Sequence, residues 1–144
     1  MSKPVLFYER RFYCFSNFSS FQVDIWSKTW MTSEHAYQAQ KFITREDIQE
    51  KIQCARSAHD AKVIAREHAF EVHGGWEKEK IVVMMDICQA KLEQHPFIQK
   101  RLLETGDREI IEDSSKDSFW GWGPDKKGEN NLGKIWMTLR AEME

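Results

Sequence analysis

From Thr32 to about residue 105 the sequence carries the punctuation of consecutive helices, and no other feature restricts the fold so strongly. Thr32 and Ser33 are both good helix N-cap residue types. The first helix is expected to run from there to about Ile43, with Ala36, Ala39 and Ile43 on its inner face. A second helix is expected around 46–55 and a third around 58–70, after which His73-Gly74-Gly75 breaks the pattern. The longest helix starts near Trp76, and Val83, Met84, Ile87 and Leu92 fit a 3.6-residue period along it. His95-Pro96 interrupts this run. Pro96 suits the first turn of a further helix, and Gly106 is a good C-terminal stop for it.

The flanks read differently. Val5-Leu6-Phe7-Tyr8 is a short strand candidate, and Phe21, Val23 and Ile25 alternate with Gln22 and Asp24 at the period of a half-buried strand. Lys28-Thr29-Trp30-Met31 is placed to return as its hairpin partner. Residues 107–131 are irregular and rich in Gly, Asp and Trp. A last amphipathic helix begins near Asn131 and is expected to bury Leu132, Ile135, Trp136 and Leu139. The expected fold is mainly α, an α-rich α+β chain with a small N-terminal β element. No repeat, low-complexity tract or linker divides it, so one domain is expected over residues 1–144, a length that allows a real core.

Composition narrows the classes of function. No apolar run approaches the ~20 residues of a membrane span, and Met1-Ser2-Lys3-Pro4 lacks the apolar stretch of a secretory signal. A cytoplasmic protein with no membrane partner is expected, with a monomer favoured. Cys14, Cys54 and Cys88 are odd in number and show no C-x-x-C spacing, which argues against a disulfide framework or structural zinc. They are expected to be free thiols in or near the core. The histidines, His35, His59, His68, His73 and His95, show no metal-ligand spacing. No metal and no cofactor are expected. The net charge of −2 comes from acidic and basic residues mixed along the chain, so no basic stripe announces duplex nucleic acid, while a nucleotide ligand stays open.

Four polar segments stand out. In Thr32-Ser33-Glu34-His35-Ala36-Tyr37-Gln38-Ala39-Gln40-Lys41-Phe42, the residues Glu34, Gln38 and Lys41 fall at i, i+4 and i+7, on one helical face. Glu34 lies in the first turn, where the helix dipole favours a carboxylate, and a fixed anion suits an oxocarbenium-like centre or a water aimed at one. Spacing alone is more often that of a solvated polar stripe. Asp117-Ser118-Phe119-Trp120-Gly121-Trp122-Gly123-Pro124 alternates aromatics with glycines: Gly admits close approach of a ligand, Trp offers a stacking face, and Asp117 can accept from ribose hydroxyls or act as a second carboxylate. The commoner use of such a run is a tight turn packing its tryptophans. Gly128-Glu129-Asn130-Asn131-Leu132-Gly133-Lys134 feeds a helix N-terminus, either an anion site or a plain cap. Asn17, in Phe15-Ser16-Asn17-Phe18, offers a donor and an acceptor to a heterocycle with Phe18 beside it, although turns use Asn routinely.

Taken in order, these segments resemble the YbiA-like N-glycosidases, the NADAR family. The resemblance runs from about Phe7 to Arg140 and includes Phe15-Ser16-Asn17-Phe18, Trp30, Thr32-Ser33-Glu34-His35, Gln38-Ala39-Gln40-Lys41-Phe42, Trp76, Lys80, Met84, Lys91-Leu92-Glu93-Gln94-His95, Leu103, Thr105, Asp117-Ser118-Phe119-Trp120-Gly121, Gly128, Asn131-Leu132-Gly133 and Arg140. It implies a mainly helical domain that hydrolyses the bond between ribose C1 and an exocyclic amino nitrogen. The implied substrates are riboflavin-pathway phosphoribosylamino-pyrimidines or ADP-ribosylated guanine. The partner is then a small ribosyl or ADP-ribosyl molecule, with ADP-ribosylated nucleic acid open. Glu34 would be the main catalytic carboxylate. Lys41 would hold phosphate or form a Schiff base with the opened sugar, and Asp117 would position ribose or assist proton transfer. Asn17, Phe18, Trp30, His35, Gln38, Trp120, Gly121 and Asn131 would bind substrate. Pro124, Asp125 and Glu129 depart from the basic, Gly-rich run of some members, which bears on phosphate contacts and substrate choice.

Two other readings compete. The same Trp/Gly loop and helix start would serve a non-catalytic module that grips ADP-ribose or an NAD derivative. Against it, binding alone does not require Glu34, Lys41 and Asp117 together. A purely structural helical adaptor would leave the polar stripe and the Gly-rich turn unexplained.

Overall fold

The computed structural model describes residues 3–8 and 11–143. Met1 and Ser2, which opened the segment read above against a secretory signal, lie outside that range. The described chain is mainly helical, as expected, and its residues form two compact units: Asn17–Gln94, and the N-terminal segment up to Ser16 together with His95 onward.

The first unit opens with the expected hairpin, β2 (Val23–Ile25) paired antiparallel to β3 (Lys28–Trp30) in the register Val23 to Trp30 and Ile25 to Lys28. Trp26 and Ser27 turn it at φ 55° and 64°, the left-handed pair that a tight two-residue turn requires. Then come α1 (Ser33–Gln40), α2 (Glu46–Gln53), α3 (Ala58–Glu67), a 3-10 turn at Ala69–Glu71, and α4 (Trp76–Gln94). Thr32 caps α1 by accepting from the His35 N–H, and Ser57 caps α3 by accepting from the Asp60 N–H. The helix α1 packs against α2, α3, α4 and the hairpin. It is therefore a central helix, and every residue from Ser33 to Ala39 is buried, polar ones included.

Two boundaries differ from expectation. The helix α1 stops at Gln40, because the N–H groups of Lys41 and Phe42 bond back three residues, to Gln38 and Ala39, and the His73 N–H takes the Lys41 carbonyl. That tightened turn buries Phe42 fully and leaves Ile43 46% exposed, so Phe42 replaces Ile43 on the inner face. The third helix ends at Glu67, and the 3-10 turn covers what was expected as its last residues. Cys88 is buried, but Cys54 is exposed rather than near a core.

In the second unit β1 (Val5–Leu6) pairs in parallel with β4 (Ile110–Ile111), a strand that the irregular 107–131 segment did not announce. The β content is thus two separate pairings instead of one N-terminal element. The helix α5 (Pro96–Glu104) starts on Pro96 as expected, and α6 (Asn131–Glu142) buries Leu132, Ile135, Trp136 and Leu139. Phe15 links the core here. It meets Phe7 edge-on at 5.9 Å and lies 5.1 Å from Trp136, whose indole N–H donates to the Phe15 carbonyl at 3.0 Å. At Gly133 a Cβ would sit 2.1 Å from the Ile110 carbonyl oxygen, so only glycine lets α6 lie this close to β4.

Candidate active site

Central placement changes the meaning of the polar face of α1. Glu34, Gln38 and Lys41 do not form a solvated stripe: Glu34 is 6% and Gln38 4% exposed, and Lys41 is half-buried. Gln38 Nε2 donates to Glu34 Oε2 at 2.6 Å, the distance of a hydrogen bond to a charged acceptor. The Glu34 N–H donates to the Asn17 carbonyl at 3.1 Å, which ties the Asn17 turn to the first turn of α1. Asn17 is itself buried, and its Nδ2 donates to the Met84 sulfur of α4 at 3.3 Å.

Among the described residues, the side-chain atoms sealed from solvent with no hydrogen-bond partner include Asn17 Oδ1, Ser33 Oγ and Gln38 Oε1, the last on the amide that holds Glu34. An unmade hydrogen bond on a buried polar group costs about 1–3 kcal/mol, a cost that α1 carries at Ser33 and Gln38.

Lys41 sits at the end of α1 with its Nζ 5.5 Å from the centre of the Tyr37 ring and 6.0 Å from that of Trp76. The two rings lie 5.1 Å apart. No side chain among the described residues accepts a hydrogen bond from this amine. Burial lowers its pKa below the ordinary lysine value. Glu34 and Glu77 work against that shift, and Lys62 and Lys80 work with it. Desolvation penalises the ammonium and favours the neutral amine, and the aromatic faces return only part of the lost hydration. Of these two walls, Tyr37 is foreshadowed in the sequence by its i, i+4 spacing to Lys41, whereas Trp76 reaches the lysine only through the packing of α4 on α1.

Two other expected substrate contacts serve the fold. His35 is fully buried. Its Nδ1 lies 2.7 Å from Thr32 Oγ1 and its Nε2 3.0 Å from the Ala55 carbonyl. A carbonyl only accepts, so Nε2 carries the proton and Nδ1 accepts from the Thr32 hydroxyl. Both ring nitrogens are spent, and burial lowers the pKa of the ring. Trp30 is 2% exposed and its indole N–H donates to the Ile25 carbonyl across the hairpin, so it presents no stacking face. Phe18 is exposed.

The remaining expected residues group in the other unit, in a loop stitched to itself. Asp117 Oδ1 accepts the N–H groups of Phe119 and Trp120 at 2.9 and 2.8 Å. Gly121 is buried, and a Cβ on it would sit 2.7 Å from the Glu112 carbonyl oxygen, so its close approach is to the protein's own backbone rather than to a ligand. Trp120 is half-buried and meets Phe119 edge-on at 4.8 Å. The N–H groups of Asn131 and Leu132 donate to the Phe119 and Trp120 carbonyls, and Asn131 Nδ2 also donates to Phe119. These donors of the α6 start are therefore committed to the loop, which removes them from the anion site expected there. Asn130 holds the N-cap position at φ 52° without a side-chain cap. Its amide bonds instead to the Ile110 carbonyl and the Glu112 N–H.

The NADAR domain pattern matches residues 6–144. The chain belongs to the NADAR family. This NADAR chain is 39% identical to N-glycosidase Npun_R5314 of Nostoc punctiforme over 132 residues, which is 90% of this chain and 85% of that protein. It is 37% identical to N-glycosidase YbiA of Escherichia coli over 129 residues, covering 90% of this chain and 80% of YbiA. The NMR structure of YbiA superposes on it with a TM-score of 0.87 at 35% identity, over 99% of this chain and 87% of YbiA. The riboflavin biosynthesis protein VVA0006 of Vibrio vulnificus is 37% identical over 148 residues, which take in all of this chain but only 40% of that longer protein. No group of His, Cys, Asp and Glu among the described residues is arranged to hold a metal ion, and no described helix is long and apolar enough to cross a membrane.

Proposed function

We propose that this NADAR chain is an N-glycosidase that hydrolyses the bond between ribose C1 and an exocyclic amino nitrogen, with Glu34 and Lys41 as its catalytic residues. The observation that carries this reading is an amine with no hydrogen-bond acceptor among the described side chains, walled by Tyr37 and Trp76 and depressed in pKa, on the same helical face as a buried carboxylate. A lysine that only pairs with phosphate works best as the ammonium, whereas the lowered pKa of Lys41 favours the neutral amine. A nucleophilic amine needs that neutral form.

The chemistry follows from these two groups. Opening of the sugar ring places an imine at C1. The neutral Lys41 Nζ adds to that carbon, both of its protons pass to the exocyclic nitrogen, which leaves as a free amine, and a Schiff base joins Lys41 to C1. One water then hydrolyses this imine to the aldehyde sugar and free lysine. Glu34 carries the proton between the incoming and departing groups and offsets positive charge at C1. Gln38 holds its carboxylate in place. Asn17 and Gln38, close to this carboxylate in the chain fold, and the exposed Phe18 are assigned to substrate binding. We assign Asp117 the positioning of its own loop.

Of the substrate classes, the small phosphoribosylamino-pyrimidine is favoured. The Vibrio vulnificus relative carries its matching region within a longer protein named for riboflavin biosynthesis, and mixed surface charge gives a polynucleotide no basic stripe. The test is incubation of the protein with a phosphoribosylamino-pyrimidine and, in parallel, with a guanine-ADP-ribosylated oligonucleotide, followed by mass spectrometry. Release of free amino-pyrimidine with gain of one water is the expected result. Release of ADP-ribose alone would transfer the reading to the second substrate, and no cleavage of either would overturn it.

A further inference from the structure

Helix α4 fastens the chain from Asn17 to Asp24 at three points. Met84 takes the Asn17 side chain, whose Nδ2 donates to the thioether at 3.3 Å. About two turns further along α4, Lys91 Nζ donates to Ser19 Oγ at 3.0 Å and lies 5.6 Å from the centre of the Phe21 ring. At the end of the helix, Gln94 exchanges two bonds with the Asp24 backbone, each of 2.8 Å. The middle fastening is the unusual one. Lys91 is fully buried, and Ser19 is buried with it. Taking an ammonium out of water costs several kcal/mol, and an unbranched apolar side chain such as methionine would fill nearly the same space without that cost. Stability alone is therefore a poor reason for a lysine here. What the ammonium brings and methionine lacks is donors, and these fix where the Ser19 hydroxyl stands.

The segment held in this way reaches the proposed catalytic carboxylate. The Ser19 carbonyl accepts the Phe21 N–H at 2.8 Å, and two residues before Ser19 the Asn17 carbonyl accepts the Glu34 N–H at 3.1 Å. That N–H belongs to the first turn of α1, where the helix itself supplies no acceptor. We infer that Lys91 is a positioning residue: by holding Ser19 it fixes the 17–21 loop, and through the Asn17 carbonyl it fixes the first turn of α1 and the placement of Glu34. The inference rests on the proposed glycosidase reading in one respect, that Glu34 is the carboxylate that acts. Lys91 works through the loop and takes no part in the bond changes, which separates its role from that of Lys41.

Two readouts test this, one of them independent of catalysis. The first is hydrogen exchange of the Glu34 amide, followed by NMR on the whole chain. Lys91→Met keeps the length of the side chain and removes its donors. In this variant the Glu34 amide is expected to exchange roughly tenfold to a hundredfold faster than in the wild type, while amides of α6 keep their rates. The second readout is steady-state cleavage of a phosphoribosylamino-pyrimidine. Lys91→Met is expected to lower kcat about tenfold, with KM within about threefold and the thermal midpoint unchanged or raised. A lysine with a purely structural role would lower the midpoint and leave the kcat of the folded protein intact. Ser19→Ala breaks the same bond from the other side and leaves the buried ammonium one acceptor short, so it is expected to lower both kcat and the midpoint. The double variant is expected to lose no more kcat than Lys91→Met alone, because the same bond is missing in all three proteins. If Lys91→Met does not fold, Ser19→Ala decides by the same two readouts. An unchanged Glu34 amide rate in the folded variant, or an unchanged kcat, overturns the inference. A wild type that cleaves no ribosylamino substrate removes the parent reading instead, and the amide rate still decides whether Lys91 holds the loop.

Discussion

Gln38 Nε2 donates to Glu34 Oε2 at 2.6 Å, one helical turn along the same face of α1, and that bond fixes both the carboxylate and the end of the amide that faces away from it. Because α1 is packed on several sides, this pair is shielded from water, and its electrostatic effect on a developing charge is larger than at a surface.

Glu34→Gln keeps the shape of the side chain and its bond to Gln38 while removing the charge. Turnover of a ribosylamino substrate is expected to fall by roughly 10²–10⁴, the usual worth of a general acid–base group, with substrate affinity within a few fold of wild type. Steady-state kcat and a binding titration check both. A folded Glu34→Gln protein with unchanged kcat would remove Glu34 from the chemistry.

Lys41 gives a covalent signature with a pH sign. Its pKa lies below the ordinary lysine value, so the neutral amine appears at lower pH than on a free lysine. Borohydride added during turnover is expected to trap a sugar adduct on Lys41, in a yield that rises with pH through that lowered pKa. Lys41→Arg keeps the charge and is expected to give no adduct and to lose most of kcat. A turnover-competent wild type that never yields an adduct would leave Lys41 an electrostatic role only.

The sequence shows most of this fold because its strongest signals are local. The cap at Thr32, the break before Trp76 and Pro96 at the start of α5 each act within a turn or two, and each marks an observed helix start. Tertiary effects are what it conceals. Ile43 fits the period of α1, yet the tightened turn at Lys41 and Phe42 puts Phe42 inside. Ile110-Ile111 becomes a strand only because Val5-Leu6 arrives beside it. The same division holds at the site. The spacing of Glu34, Gln38 and Lys41 puts them on one face, but no spacing reveals that this face is buried. His35 and Trp30 stand in the same run of residues and differ from Glu34 only in what their polar atoms meet: Ala55 for one and Ile25 for the other.

His35 makes stability depend on pH. Its pKa is lowered in the folded protein by burial, so the folded state disfavours the proton that the unfolded state accepts. The stabilisation from the neutral ring is complete above the unfolded histidine value. It is lost as pH falls through that value toward the lowered folded one. The thermal midpoint of the wild type is expected to fall from pH 7.5 to pH 5. His35→Gln, which loses about 2–4 kcal/mol through its broken buried bonds and imperfect fit, is expected to fall less over the same range. Parallel melting curves for the two proteins would contradict this assignment.

Asp117 separates holding a loop from acting on a substrate. One of its oxygens accepts two backbone N–H groups, from Phe119 and Trp120, and an asparagine in the same place still offers a carbonyl oxygen to both. If its part is to fix that turn, Asp117→Asn should keep kcat within about threefold and lose roughly 1 kcal/mol of stability, because a neutral acceptor makes weaker bonds than a carboxylate. Asp117→Ala frees both N–H groups and should cost roughly 2–3 kcal/mol of stability. A group that transfers a proton behaves otherwise, since the asparagine then costs as much activity as the alanine. Kinetics and urea melts of the two variants tell these roles apart: a collapse of kcat in Asp117→Asn with stability intact would give Asp117 a part in the chemistry.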